Sequence, residues 1–61
     1  MHETSVWQRD IDSAAAVLVN ACPANTPEQW RTFADQNNGR TRSVYQRCAE
    51  ISAARREMAS L

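Results

Sequence analysis

The chain predicts an all-α fold: a compact three-helix domain with a long C-terminal helix. Three observations carry that expectation. Apolar residues recur at the 3.6-residue spacing of a helix in three separate segments. Gly occurs once and Pro twice, and each falls between segments or at a helix start. The run Thr26-Pro27-Glu28-Gln29 has the residue types of a helix N-terminus.

The first helix is expected over about residues 4–22. Trp7, Ile11, Ala14, Leu18 and Cys22 form one stripe, widened by Val6 and Val17, with Gln8, Arg9, Asp12 and Ser13 off it. Thr4 or Ser5 can cap its start, and Pro23 ends it by pushing the preceding residue away from helical angles. The second helix is expected over about residues 27–37. Thr26 is its N-cap, Pro27 suits the first helical position, Gln29 completes a capping box, and Glu28 complements the helix dipole. Trp30, Phe33 and Ala34, joined by Asn37, form its inward stripe, and Asn37-Asn38-Gly39 stops it with residues that tolerate left-handed angles. The third helix is expected over about residues 41–60, with Thr41 as N-cap. Its stripe is Val44, Cys48, Ile51, Ala54 or Arg55, and Met58, with Tyr45 and Leu61 at the borders.

At about 1.5 Å per residue the third helix is roughly 28 Å long, about twice the second. It therefore overhangs its neighbour, and Ile51, Met58 and Leu61 in its last turns lack full cover. Self-association through the third helix, the first, or both follows as an expectation, most simply as a homodimer.

The size of the chain bounds what it can do. It has 61 residues, of which 26 are hydrophobic; ten of these are Ala and two are Cys, leaving 14 larger apolar side chains. A core this thin lies where small domains need a disulfide, a metal or a partner chain. No apolar run approaches the roughly 18 residues of a membrane span, the longest being Ala14 to Val19. Glu3 stands where a secretory leader carries basic residues, so the expected address is the cytoplasm.

Cys22 and Cys48 lie 26 positions apart with no CxxC and no nearby His, which excludes a zinc site of known spacing. Two readings stand: a pair of buried reduced thiols, or a disulfide from the first helix to the third worth roughly 3 kcal/mol. No nucleophile and base fall into a constellation: the two Cys lack a usable His, and Ser43 lacks a base. Asp10 and Asp12 diverge on a helix and are not a catalytic pair. The chain is thus read as no enzyme, with no cofactor, no metal and no small-molecule substrate.

All seven basic residues are Arg, and they balance seven acidic ones. The zero net charge conceals a split. Residues 1–38 carry two Arg against five acidic residues, net −3, whereas residues 39–61 carry five Arg against two, net +3. The stretch from Phe33 to Arg47, within residues 26–51, resembles a helix-turn-helix unit. Ala34 stands where such motifs place a small residue, the turn falls at Asn38-Gly39, and Val44 takes the inward position of the second helix. The segment Gly39-Arg40-Thr41-Arg42-Ser43-Val44 is similar to the start of the recognition helix in Myb/SANT-like domains and in small phage or bacterial regulators. That resemblance implies a helix lying in the major groove, with Arg42, Ser43, Gln46 and Arg47 facing base edges and Arg40 on phosphate. Arg55 and Arg56 lie too far along to join them and are left to the DNA backbone or a dimer.

Among the remaining side chains, Trp7 and Trp30 are expected as core anchors, with Trp30 and Phe33 meeting Trp7 or Leu18. His2 stands at the chain start with no assigned role. Glu3, Asp10 and Asp12 form an acidic patch suited to a basic partner or to the Arg-rich helix of a second subunit. Tyr45, Ile51, Met58 and Leu61 are the candidates for a partner interface. Two functions result. One is a small helix-turn-helix regulator binding DNA as a dimer, of the kind phages and mobile elements encode. The other is a small protein-binding inhibitor or adaptor, occupying a surface of a host enzyme, regulator or defence complex.

Overall fold

A computed structural model describes residues 2–61, with side chains from Gln8 onward. It contains three helices, α1 (His2–Ala21), α2 (Pro27–Asp35) and α3 (Gly39–Ala59), and no strand among the described residues. The side chains of His2, Glu3, Thr4, Ser5, Val6 and Trp7 lie outside the described part, and with them the expected N-cap of α1, the acidic contribution of Glu3 and the core placement of Trp7.

Each boundary has a local cause. α1 stops at Ala21, ahead of Pro23, and the chain turns with the Asn25 N–H donating to the Cys22 carbonyl at 3.2 Å. At α2 the capping box is complete. The Gln29 N–H donates to Thr26 Oγ1 at 3.2 Å, and the Thr26 N–H donates to Gln29 Oε1 at 2.8 Å. α2 ends at Asp35, two residues before the expected stop, because Asn37 folds back: its side-chain amide donates to the Phe33 carbonyl at 2.7 Å and its backbone N–H to the Ala34 carbonyl at 3.1 Å. The left-handed residue of this connection is Gly39, at φ +62°, and it begins α3 rather than closing α2. Asn38, with extended backbone and no side-chain cap bond, is the N-cap of α3. The expected cap, Thr41, sits inside the first turn, since Gly39 lets the helix start two residues early.

α3 is the element that both other helices pack against. Contacts from Asp10 to Arg40, Asp12 to Arg47, Ala15 to Cys48 and Asn20 to Arg55 run in step, so α1 lies parallel to α3. Asn25 with Ser52, Trp30 with Tyr45 and Asp35 with Arg42 run in opposite step, so α2 lies antiparallel. The core is Ala15, Val19, Trp30, Val44, Cys48 and Ala49, flanked by Ile11, Ala14, Leu18, Tyr45 and Ile51.

The inward face of α1 is rotated from the expected stripe. Ala15 and Val19 are buried, Ile11, Ala14 and Leu18 stand at the edge, and Cys22 and Val17 are exposed. The reason is close approach. α1 meets α3 through a methyl group at Ala15, near enough for the Cys48 thiol to donate to the Ala15 carbonyl at 3.6 Å. Two residues on, about 200° round the helix, Val17 points outward. Cys22 and Cys48 are both free thiols, one exposed and one buried, so neither the disulfide nor the pair of buried thiols describes them.

On α3, Ala49 and Ser52 join the buried face. Ser52 is satisfied there by donating its hydroxyl proton to the Asn25 carbonyl at 3.2 Å. The aromatic residues form their own group: Trp30 stacks on Tyr45 at 6.0 Å, and Phe33 stands edge-on to Trp30 at 5.8 Å and tilted against Tyr45 at 5.6 Å. Trp30 and Phe33 thus meet Tyr45, while Leu18 packs at the rim of the core. The Trp30 indole Nε1 is buried with no hydrogen-bond partner among the described residues.

Candidate interaction surface

The sequence places Arg40, Arg42, Ser43, Gln46 and Arg47 on the first turns of α3, and the fold brings them round one ridge. Shallow grooves flank it. On the α2 side lies a groove of about 430 Å³ lined by Arg31, Ala34, Asp35, Gln46, Ala49 and Glu50. On the α1 side lies one of about 200 Å³ lined by Gln8, Ile11, Ser43, Gln46, Arg47 and Glu50. Gln46 is exposed and borders both grooves, whereas Ser43 is half-buried and donates toward the Gly39 carbonyl at 3.4 Å.

The charges on this ridge are arranged in pairs. Arg40 pairs with Asp10 of α1. Arg42 approaches Asp35 of α2 at 3.8 Å. Arg47 is forked, its Nε donating to Asp12 and its Nη1 to Glu50, each at 2.8 Å. Those two hydrogen bonds, first to Glu50 and then to Asp12, hold the Arg47 guanidinium above its ordinary value. Asp12 also accepts from the Gln8 side-chain amide at 3.0 Å. Three guanidiniums and four carboxylates therefore share the N-terminal half of α3. The −3 and +3 halves of the chain meet inside one molecule, and Asp10 and Asp12 face the Arg-rich helix of their own chain.

The sequence reading missed Asp35 and Glu50 as partners of Arg42 and Arg47. The i, i+3 spacing of Arg47 and Glu50 signals one pair. Arg42 and Asp35 meet through the antiparallel docking of α2, whereas Asp10 and Asp12 lie 30 and 35 positions from Arg40 and Arg47 and are brought to them by the parallel docking of α1.

The four interface candidates divide. Tyr45 belongs to the aromatic group and Ile51 packs half-buried against the core. Met58 is 71% exposed and Leu61 fully exposed, and every residue from Ala54 onward is exposed. The last turns of α3 therefore project, as its length predicts. Arg55 and Arg56 are engaged at the base of the projection, donating to the Asn20 side chain at 2.8 Å and the Asn25 carbonyl at 3.4 Å.

Among the described residues no group of three or more His, Cys, Asp and Glu side chains is placed to hold a metal ion, and no helix is long and apolar enough to cross a membrane. Burial pushes the Cys48 thiol up, away from the thiolate that nucleophilic chemistry requires. No protein-family model matches the chain, and neither a curated protein nor a solved structure matches it.

Proposed function

We propose that this chain is a small protein-binding module, an adaptor or inhibitor that docks the ridge of α3 on the surface of a larger protein. The observation that carries the reading is the pairing of Arg40, Arg42 and Arg47 with Asp10, Asp35, Asp12 and Glu50. A phosphate backbone is bound by unneutralised positive charge, and its affinity scales with the number of phosphates contacted. Breaking an exposed ion pair costs only about 0.2–1 kcal/mol. The released carboxylates would nevertheless stay on the same ridge and repel the phosphates. A protein surface of mixed charge meets no such penalty and complements the ridge on both signs.

The test is capture on the immobilised chain from nuclease-treated lysate. One protein retained in stoichiometric amount, and lost with Gln46→Arg while helicity is kept, supports the reading. A helix-turn-helix reader of DNA is the second reading, favoured by the three-residue connection from α2 to α3 and by buried Ala34 and Val44 at the helix contact. Its mark would be DNA retention that falls steeply between about 50 and 200 mM salt. Loss of that retention in Arg42→Ala and Gln46→Ala would then replace the protein-binding reading.

A further inference from the structure

We infer that the projecting end of α3 is the docking surface for a second copy of this chain, with the two α3 helices side by side and parallel. This surface adjoins the α3 ridge, sharing Glu50 with it, and does not depend on what the ridge binds. Ile51, Ala54 and Met58 are spaced three and four residues apart, the repeat of a helix seam that meets another helix, and Leu61 follows just past the helix end, its N–H donating to the Met58 carbonyl at 3.2 Å. Ile51 begins the seam at the rim of the core, Ala54 and Met58 are exposed, and Leu61 is wholly open. Ala54 is small enough to let two backbones approach.

The charges beside the seam select both the occupant and its direction. Glu50 precedes Ile51 on one side and Arg55 follows Ala54 on the other. In a parallel pair, the residue before the first seam position faces the residue five further along in the other helix. Glu50 then meets Arg55 of the partner subunit, and the two-fold symmetry makes that pair twice. In an antiparallel pair each flank meets its own kind: Glu50 and Glu57 would face glutamates, and Arg55 would face Arg55 of the partner subunit. The parallel arrangement is the one this sequence complements. Glu50 can serve it without leaving Arg47 unpaired, because Arg47 keeps its 2.8 Å bond to Asp12, and Arg55, whose Nη1 donates to Asn20, has further guanidinium N–H groups to offer Glu50 of the partner subunit. The helical part of the seam, Ile51 to Met58, covers about 12 Å, well short of a standard interface, so the dimer is weak.

Sedimentation equilibrium of the whole chain from about 10 µM to 1 mM tests it, with circular dichroism verifying that each variant keeps its helices. The expected result is a concentration-dependent monomer–dimer equilibrium, abolished by Met58→Glu. Glu50→Arg should weaken it about tenfold, and the double exchange Glu50→Arg with Arg55→Glu should restore it. In a Cys22→Ser background, Leu61→Cys should oxidise readily to a linked dimer, since seam positions of equal number face each other only in the parallel pair. A monomer at every concentration overturns the proposal. So does a dimer indifferent to Met58→Glu, a double exchange that fails to restore association, or a Leu61→Cys chain that does not cross-link.

Discussion

Val17 and Val19 sit two positions apart on α1, and the same substitution at each should have opposite consequences. Val19 is 3% exposed within the core, while Val17 is 67% exposed. Val19→Ala removes two buried carbons, a transfer loss of roughly 1.6 kcal/mol at about 0.8 each. A residual cavity of up to ~40 Å³ adds about 1 kcal/mol at ~24 cal/mol per Å³. The better helix propensity of Ala offsets about 0.5 kcal/mol, leaving a net loss of about 2 kcal/mol. A 61-residue chain has a total stability of about 3–9 kcal/mol, so this is a large fraction of it. Unfolding entropy of about 2.1 cal/mol/K per residue converts the loss into a Tm drop of roughly 15 °C. Val17→Ala should leave stability unchanged or raise it by up to ~0.5 kcal/mol. Thermal and urea unfolding followed by far-ultraviolet circular dichroism measures both. Equal losses at the two positions, or a larger loss at Val17, would refute the rotation of α1 that places Ala15 against α3.

Other outcomes are equally specific. Thr26→Ala should cost about 1 kcal/mol in urea unfolding, by removing the acceptor for the Gln29 N–H. Gly39→Ala should cost about 1 kcal/mol through its φ of +62° alone, since an added methyl group there meets nothing within 4 Å, and Gly39→Asn should cost less. A thiol reagent should label Cys22 at the rate of a free thiol and Cys48 only when the structure opens, as counted by mass spectrometry. Because burial raises the Cys48 pKa in the folded state, the unfolded chain releases that proton first. Stability should therefore fall as pH rises past the ordinary thiol value of about 8.5, and Cys48→Ala should remove that slope from the urea midpoint measured against pH.

The features legible in the sequence are those written in short-range chemistry. The capping box at Thr26, the stop at Pro23, the number of helices and the projection of α3 all follow from residues within a turn or two of each other, or from helix length. The inward face of α1 was misread because periodicity weights large apolar side chains, whereas the closest contact uses Ala15. Ser52 escaped for a related reason: a hydroxyl becomes a core group only once the Asn25 carbonyl is brought beside it. On the ridge, the arginines were legible as residues but their charge state of pairing was not. Nothing near Arg40 or Arg47 in the chain announces Asp10 or Asp12, which arrive through the docking of a separate helix.

That docking has a consequence for the order in which the molecule assembles. The contacts between α1 and α3 close loops of 30 to 35 positions, whereas Asp35 and Arg42 are seven apart and Trp30 and Tyr45 fifteen. Shorter loops close at smaller entropic cost, so the α2–α3 hairpin forms early and α1 adds to it late. The described part of α1 brings two small side chains, Ala15 and Val19, to the buried core. Its longer closing loops make α1 the helix expected to detach first, in a partial opening below the free energy of complete unfolding. Cys48 lies directly under Ala15. Its labelling rate is thus a built-in gauge of α1 detachment, readable without adding any probe to the chain.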